Sequence, residues 1–364
     1  MQMEMFEDFQ PLKTNDWKWT MANDYPTQKN GLKVFILFAC GGGSTMGYKL
    51  AGCEVLGCCE IDPRMNKVYV ENHHPKYNYC EDIREFNKRD NLPEELYSLD
   101  ILDASPPCTT FSMAGEREDS WGKQKKFREG QVEQTLDDLS FVAIETVKKL
   151  QPKVVIMENV EGLLNGEAWK YVQDIYAKFD ERGYYVTHKL LKAEQMGVPQ
   201  KRHRVFFIAF RKDLAFHPSN VELSFNYAPI TFGEVKGGIP EPIKCKDGKP
   251  PSWFNLVCMA TEEDACLASV LERTEGRSSR YNEMIVWDNQ VSPTVHTHGF
   301  YRGNDKCKFT IEDYRNCATF PQDYNWLDQS ASYITGMCVP PLMMKRVVDR
   351  VIESGIFNAK ICYK

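Results

Sequence analysis

A short apolar run that ends in three glycines constrains the fold of this chain more than any other feature. Residues 33–38 form a β-rich run that is apolar after Lys33, and Gly41-Gly42-Gly43 follows two residues later. This pattern predicts a buried strand that turns tightly into a helix over about 45–51. Strand, glycine turn and helix in this order form the ligand-binding corner of doubly wound α/β domains.

Apolar segments of strand and helix type alternate between residues 33 and 216. Asp62-Pro63 predicts a helix that runs to about Asn72, because Asp caps helices and proline suits their first position. Helical spacing of apolar residues recurs between Leu136 and Leu150. Further strands are predicted at 54–60, 99–103, 153–157, 184–191 and 204–210. The alternation predicts an α/β fold with a doubly wound, mostly parallel sheet.

The chain changes character after about residue 217. From there to about Trp287 it is rich in proline, glycine and charge without a clear period, which predicts a second, smaller domain. Regular patterning returns from about Thr310, and residues 341–352 read as a closing helix. Residues 1–32 match no predicted element and form an N-terminal extension of unknown role.

Composition excludes several classes of protein. The thirteen cysteines include no C-x-x-C pair, so we expect free thiols in a reducing cytoplasm and no zinc site. No apolar run approaches the roughly 18 residues of a membrane span, and the acidic first thirty residues do not resemble a secretory signal. The net charge of −6 means that a nucleic-acid partner requires a local basic surface.

The most specific candidate for catalysis is Cys108. A predicted strand runs through Asp103-Ala-Ser into Pro106-Pro107, whose rings fix the backbone directly before the cysteine. This corner would present the thiol at the carboxyl end of the sheet, where ligands bind in such folds. A cysteine in a cysteine-rich chain is more often structural, but one in a polar, proline-held loop is better interpreted as a nucleophile.

Other polar residues follow neighbouring strands. Glu158 ends a strand at the same predicted edge as Cys108, so both could act on one substrate. Alternation sends Gln200, Arg202 and Arg204 to one face, where the arginines are fixed cationic donors. Glu60 and Asp82 could accept hydrogen bonds from a ribose and a purine amino group. Each of these residues, taken alone, is more often merely solvated.

Taken in order, these segments resemble the cytosine-5 DNA methyltransferase family. The blocks that carry the resemblance are Phe38 to Gly43, Glu60, Asp82, Pro106-Pro107-Cys108, Glu158-Asn159-Val160, Gln200-x-Arg202-x-Arg204, Ala318-Thr-Phe-Pro321 and Gly336-Met-Cys-Val-Pro340. They cover about 33–211 and 292–353. The resemblance implies a Rossmann-like S-adenosylmethionine-dependent methyltransferase fold with a smaller, irregular, β-rich target-recognition domain. The catalytic, cofactor-binding domain would be 33–216, the recognition domain 217–290, and residues 291–364 would complete the catalytic domain.

The resemblance also implies a mechanism. Cys108 would attack carbon 6 of a flipped-out cytosine and thereby make carbon 5 reactive toward a methyl group. Glu158 would hold the ring nitrogen and amine, Arg204 would contact the base carbonyl oxygen, and Arg202 would help to position the loop.

Cofactor and DNA contacts are implied in the same way. S-adenosylmethionine, with S-adenosylhomocysteine as its product, would be bound by Phe38, Gly41, Gly42, Gly43, Glu60, Ile61, Asp82, Ile83, Pro106, Leu136 and Val339. A mobile loop over 112–130 would close on DNA, with contacts from Ser112, Arg117, Lys123, Lys125 and Arg128.

Several residues depart from the family pattern. Cys40 stands where the family usually has glycine, and Met337-Cys338 replaces its usual Asn-Ala. Thr109 and Ala318 each replace a glutamine. These departures bear on cofactor affinity and loop contacts rather than on the type of reaction.

The favoured function is S-adenosylmethionine-dependent methylation of carbon 5 of cytosine in a specific double-stranded DNA sequence, as in restriction–modification systems. We expect a monomer without metal or membrane, in the cytoplasm of a bacterial or phage-infected cell. Transfer RNA methylation is an alternative, disfavoured because the Cys-Phe-Thr signature is absent and the recognition segment is long. A catalytically silent DNA-binding paralogue is another. A dinucleotide oxidoreductase is disfavoured because G-x-G-x-x-G is absent.

Overall fold

The strands form one large sheet and two small ones. The computed structural model describes residues 12, 14–107, 139–244, 246–247, 249–279 and 283–359. Their strands are β1 (Lys33–Leu37), β2 (Glu54–Cys59), β3 (Tyr77–Tyr79), β4 (Ile101–Ala104), β5 (Val154–Val160), β6 (Tyr184–Lys192), β7 (Gln200–Lys201), β8 (His203–Arg211), β9 (Met284–Val286), β10 (Ser292–Pro293), β11 (Phe300–Arg302) and β12 (Cys307–Lys308).

The central sheet has seven strands in the order β3-β2-β1-β4-β5-β8-β6. The first five are parallel, whereas β8 runs antiparallel to both β5 and β6. Leu37 of β1 pairs with Ala104 of β4, which pairs with Met157 of β5. The residues that follow these three positions therefore meet at one edge of the sheet. The prediction of a mostly parallel, doubly wound sheet is confirmed.

Helices flank the sheet and extend the chain beyond it. They are α1 (Met21–Asp24), α2 (Gly43–Leu50), α3 (Pro63–His73), α4 (Ile83–Lys88), α5 (Leu139–Leu150), α6 (Trp169–Glu181), α7 (Phe232–Val235), α8 (Ser252–Met259), α9 (Leu267–Glu275), α10 (Ile311–Cys317), α11 (Ala331–Met337) and α12 (Pro341–Glu353). None of these helices is both long and apolar enough to cross a membrane. The predicted start of α3 is confirmed, since Asp62 accepts the N–H of Arg64 and Pro63 opens the helix.

Two apolar clusters cover the faces of the sheet. Val34 and Ile36 of β1 face the cluster that includes α2, α3 and α12, whereas Phe35 and Leu37 face the one that includes α4, α5 and α6. A strand buried on both faces reads as a continuous apolar run, which is why the strand is apolar from Val34 to Leu37. The C-terminal helix α12 packs closely on α2. A Cβ at Gly47 would lie 2.5 Å from the Cβ of Met344, so this contact requires glycine.

A smaller unit lies around the sheet of β9, β11 and β12. The strand β9 precedes residue 290 and its partner β11 follows it, so this sheet crosses that point of the chain. Two apolar clusters belong to the unit: one includes α8, α9 and Trp287, and the other includes α7 and Phe309. A buried ion pair joins its parts, because the Arg302 guanidinium donates to both oxygens of Asp313 at 2.8 and 3.0 Å.

The N-terminal segment packs on the stretch that follows α10. Trp19 is buried, and its indole N–H donates to the carbonyl of Thr319 at 2.8 Å. The carboxylate of Asp323 accepts the backbone N–H groups of Met21 and Ala22 at 2.8 and 3.0 Å. Residues 19–22 therefore lie beside 319–323, directly before Tyr324.

Candidate active site

A carboxylate and a guanidinium meet at the end of strand β5. Glu158 is 8% exposed, and its Oε1 lies 2.9 Å from Nε of Arg204 on the neighbouring strand β8. The antiparallel register pairs Val160 with Arg204, which brings the arginine side chain back along β5 toward Glu158. Arg204 also donates to the carbonyl of His203 at 2.7 Å. The pair can present one fixed acceptor and one fixed donor to a flat polar ligand.

Arg202 stands between this pair and the C-terminal part of the chain. It is 2% exposed, and its Nη1 donates to the carbonyl of Gly336 at 2.9 Å, whereas its Nε has no partner among the described residues. Burial, with the nearby charge of Arg204, lowers the pKa of Arg202, but a guanidinium stays protonated at neutral pH. Gln200 is also buried, and its side chain hydrogen-bonds to the backbone of Val295 and Cys317. It therefore joins strand β7 to the C-terminal part of the chain.

The strand β4 leads into the predicted nucleophile corner. Ala104 is the last residue of the strand, Ser105 follows, and Pro106 is buried. The hydroxyl of Ser105 is buried and has no hydrogen-bond partner among the residues that the structure describes. Cys108 lies outside the described residues, so the structure describes this corner only as far as Pro107. Ser105 and Glu158 follow paired positions of β4 and β5, which places the corner beside the Glu158–Arg204 pair.

The turn after β1 takes an unusual backbone path. Phe38, Cys40 and Gly42 all have positive φ, of 59°, 46° and 87°. Gly42 suits this conformation, and a Cβ there would also lie 2.0 Å from Nε2 of His73. The carbonyl of Gly41 faces Nε2 of His73 at 3.2 Å and accepts the hydroxyl of Tyr324 at 2.6 Å. Helix α3 and the C-terminal segment together fix the turn.

The predicted ribose ligand, Glu60, is held beside this turn. Its carboxylate accepts the N–H of Cys40 at 2.7 Å and that of Asp62 at 2.8 Å. Burial raises the pKa of Glu60 against the effect of these bonds. A carboxylate oxygen has more than one acceptor site, so each can still accept a hydroxyl. Ile61, which follows it, is partly exposed.

Asp82 and Ile83 lie at the start of α4, beyond the end of strand β3. Asp82 caps the helix by accepting the N–H of Arg84 at 2.8 Å, and Arg84 also pairs with its carboxylate at 3.2 Å. Ile83 is buried in the cluster on this face of the sheet. The aspartate therefore has a structural role in capping, in addition to the role predicted for it.

A cavity opens between the turn after β1, the end of β4 and the segment between α11 and α12. Phe38, Gly43 and Val339 are the predicted cofactor residues that line it. Gly43 lies against the carbonyl of Val339, where a Cβ would come within 2.1 Å. The full lining is Phe38, Ala39, Cys40, Gly43, Ser44, Ser105, Met337, Cys338 and Val339. The residues of the described ranges contain no group of three metal-ligating side chains.

Several predicted residues fall outside the described part of the chain. Besides Cys108, they are Ser112, Arg117, Lys123, Lys125, Arg128 and Leu136. Their roles therefore remain predictions from the sequence.

Sequence reasoning missed a buried carboxyl group close to the site. Asp103 on β4 is 1% exposed and accepts the hydroxyl of Tyr48 at 3.0 Å. Burial raises its pKa to about 8. Its other oxygen has no hydrogen-bond partner among the described residues. A charged residue inside the apolar run 99–104 was the available signal, because such a side chain needs a buried partner.

Comparison with known proteins agrees with this geometry. The family model described as C-5 cytosine-specific DNA methylase matches residues 32–241. The chain is 35% identical over 295 residues to the type II methyltransferase M.FnuDI of Fusobacterium nucleatum, which covers 80% of this chain and 74% of the relative. It is also 35% identical over 304 residues to M.NgoPII of Neisseria gonorrhoeae, covering 83% and 78%.

A solved structure shares the fold. The crystal structure of a mutant Spodoptera frugiperda DNMT2 superposes with a TM-score of 0.61 at 16% identity, covering 88% of this chain and all of the other. The fold, the extent of the family match and the identity to two type II methyltransferases lead to one conclusion. This chain belongs to the C-5 cytosine-specific DNA methylase family, and its reaction is the methylation of cytosine in DNA.

Proposed function

We propose that this enzyme transfers the methyl group of S-adenosylmethionine to carbon 5 of a flipped-out cytosine in a specific sequence of double-stranded DNA, through a covalent adduct of Cys108. One observation carries the proposal. The Glu158–Arg204 pair, at 2.9 Å, lies beside the strand that leads into Pro106-Pro107-Cys108. A nucleophile and a polar clamp at one sheet edge are what a ring-activating reaction needs.

The chemistry of cytosine explains the nucleophile. Carbon 5 is too weakly nucleophilic to take up a methyl group directly. The Cys108 thiolate bonds to carbon 6, and the ring electrons move to carbon 5. Carbon 5 then bonds to the methyl group and loses its proton, and the bond between sulfur and carbon 6 breaks. The products are 5-methylcytosine, S-adenosylhomocysteine, the proton released from carbon 5 and the regenerated Cys108 thiolate.

The charged pair would hold the base during these steps. Glu158 accepts a hydrogen bond from the exocyclic amine and holds a proton at the ring nitrogen. That proton stabilises the negative charge developing in the ring. Arg204 donates to the carbonyl oxygen of the base. Arg202, tied to the carbonyl of Gly336, positions the corner that carries Cys108.

The cavity beside the turn is assigned to part of the methyl donor. Ser105 offers a buried hydroxyl without a partner among the described residues, which suits a polar ligand. Phe38 would face the adenine, Glu60 the ribose and Asp82 the amino group, with Gly41, Gly42, Gly43, Ile61, Ile83, Pro106, Leu136 and Val339 around them. When bound, S-adenosylmethionine supplies an electrophilic methyl group.

DNA contacts are assigned to two parts of the chain. The basic segment 112–130 would contact phosphates and the displaced strand. Residues 217–290, with the strands that complete their small sheet, would recognise the target sequence. We propose a monomer in the cytoplasm of a bacterial or phage-infected cell, in a restriction–modification context, because M.FnuDI and M.NgoPII are type II methyltransferases of bacteria.

Trapping the adduct tests this proposal. Duplex DNA in which 5-fluorocytosine replaces the target cytosine should form a covalent complex in the presence of S-adenosylmethionine, because carbon 5 then has no proton to lose. Mass spectrometry should locate the link at Cys108, and the matched Cys108→Ser variant should form no complex. Active enzyme that forms no complex on its own target, or that links through another residue, contradicts the proposed mechanism.

A further inference from the structure

Two of the departures from the family pattern meet in space. Cys40 lies in the turn after β1, and Cys338 directly follows α11, far away in sequence. The side chain of Cys338 packs against the turn that carries Cys40, since a Cβ at Gly41 would lie 3.7 Å from its Sγ and a Cβ at Gly43 would lie 2.8 Å from its Cβ. Both residues line the cavity beside the turn. Two cysteines that replace a glycine and an alanine of the family pattern thus stand together at one wall of this cavity.

The backbone does not account for Cys40. Its φ of 46° lies in the left-handed region, which glycine adopts without strain and cysteine does not. A non-glycine residue held in this conformation is a reason to look for a function of its side chain. The thiol itself is the only group that glycine would not supply.

The surroundings divide the two thiols into different roles. The hydrogen bond from Cys40 and the backbone N–H groups of Gly43 and Gly41 lower the pKa of Cys338, and the charge of Arg202 adds to this effect. The same hydrogen bond, together with burial, raises the pKa of Cys40. Cys338 is therefore the more acidic thiol of the pair.

We propose that Cys40 and Cys338 form a reversible disulfide that opposes binding of the methyl donor. This inference rests on the proposed assignment of the cavity to S-adenosylmethionine. The turn after β1 and the segment that follows α11 are two walls of the cavity. An S–S bond of about 2 Å draws their sulfur atoms closer than a hydrogen bond does, so the walls approach each other.

The oxidant is a peroxide. The Cys338 thiolate attacks one oxygen of hydrogen peroxide, the O–O bond breaks, and a sulfenic acid and hydroxide result. The sulfur of Cys40 then bonds to the sulfenic sulfur, and its proton leaves with the hydroxyl group as water. The two sulfurs lose two electrons and the peroxide gains them. A dithiol reverses the change.

Thermodynamic linkage leads to a second expectation. If the disulfide weakens binding of the ligand, bound ligand must disfavour the disulfide by the same factor. A saturating ligand should therefore protect this pair from peroxide, whereas cysteines elsewhere should oxidise as before. Cys80 is exposed and serves as the reference.

The test uses the full chain with Cys108→Ser, so that oxidation of the proposed nucleophile does not contribute. Protein treated with hydrogen peroxide is digested and searched by mass spectrometry for a cross-link between Cys40 and Cys338. Calorimetry then measures S-adenosylhomocysteine binding before oxidation, after it, and after dithiothreitol. We expect the cross-link and a loss of affinity of about tenfold or more that dithiothreitol restores. The added change Cys338→Ala should abolish both effects, and Cys80→Ala should abolish neither.

Different failures have different meanings. Peroxide that oxidises Cys80 without forming the cross-link overturns the disulfide, even if the reduced protein binds S-adenosylhomocysteine. A cross-link that leaves the affinity unchanged overturns its effect on the cofactor. Reduced protein that does not bind S-adenosylhomocysteine overturns the proposed function of the cavity, and the effect on the cofactor with it.

Discussion

The catalytic edge of the central sheet and the small unit around β9, β11 and β12 are built in different ways. At the catalytic edge, neighbouring strands in register bring Ser105, Glu158 and Arg204 together, and large apolar clusters cover both faces. In the small unit, the strands have two or three residues, and a buried ion pair connects Arg302 of β11 with Asp313 of α10. Strand register thus brings the groups of the candidate site together, whereas the small unit depends on apolar packing and on a polar contact between residues of different elements.

The largest expected effect separates the two regions by activity. Glu158→Gln keeps the size of the side chain but removes its charge, so the developing charge in the base loses its partner. We expect methyl transfer to DNA to fall about 10³-fold, measured with a labelled methyl donor. Glu161→Gln is the matched control, since Glu161 bonds to His203 outside the pair, and it should stay within a few-fold of the parent. Equal losses in both variants contradict the role of Glu158.

The second prediction separates the regions by stability. Asp313 is fully buried and also accepts the N–H groups of Gly237 and Thr310. Asp313→Asn removes the buried carboxylate partner of Arg302 and leaves it only the more exposed Asp305, which should cost about 3 kcal/mol. Hydrogen exchange should rise in β9 and β11 and stay unchanged in β4 and β5. Equal increases of hydrogen exchange in both sheets would mean that this ion pair does not stabilise the small unit independently of the central sheet. Asp180→Asn, at an exposed pair with Lys212, is the control.

The third prediction concerns the buried carboxyl group of Asp103, on strand β4 of the central sheet. Because burial raises the pKa of Asp103 to about 8, the folded state holds a proton that the unfolded state releases near pH 4. Stability from this group is therefore present at low pH and is lost as the pH rises toward 8. Urea unfolding should show the parent losing roughly 2 kcal/mol between pH 6 and pH 8 relative to Asp103→Asn. Parallel pH profiles of the two proteins would exclude this.

The smallest effect concerns the N-terminal segment. Trp19→Phe removes the indole N–H that donates to Thr319 while keeping an aromatic ring in the same place. Denaturant unfolding should show a loss of about 1 kcal/mol. Trp169→Phe, at an exposed site, should show none. If Trp19→Phe has no effect, the contact between the N-terminal segment and residues 319–323 does not stabilise the chain.

The same contrast explains what the sequence could predict. The run 33–38 and the helix start at Asp62-Pro63 carry local signals, so these elements were predicted correctly. The pairing of Glu158 with Arg204 follows from two strands that are neighbours in the sheet. The hydroxyl that Tyr324 donates to Gly41 has no such signal, because its partner is far away in sequence.

The small unit shows the same limit. No local pattern predicts that Arg302 pairs with Asp313 and donates a hydrogen bond to the carbonyl of Gly237. The apolar residues of 217–287 follow no clear helical period, so the sequence does not predict α8 and α9. Contacts between distant residues decide this region, and a single sequence does not record them.

Bisulfite sequencing tests the central claim most directly. Duplex DNA of mixed sequence is incubated with the protein and S-adenosylmethionine, treated with bisulfite and sequenced. If the chain methylates cytosine in DNA, we expect protected cytosines in one recurring sequence context, and none with Cys108→Ser. Complete conversion of every cytosine, by protein shown to bind S-adenosylmethionine, would contradict DNA methylation, and the same assay on transfer RNA would then decide between an RNA substrate and a catalytically silent protein.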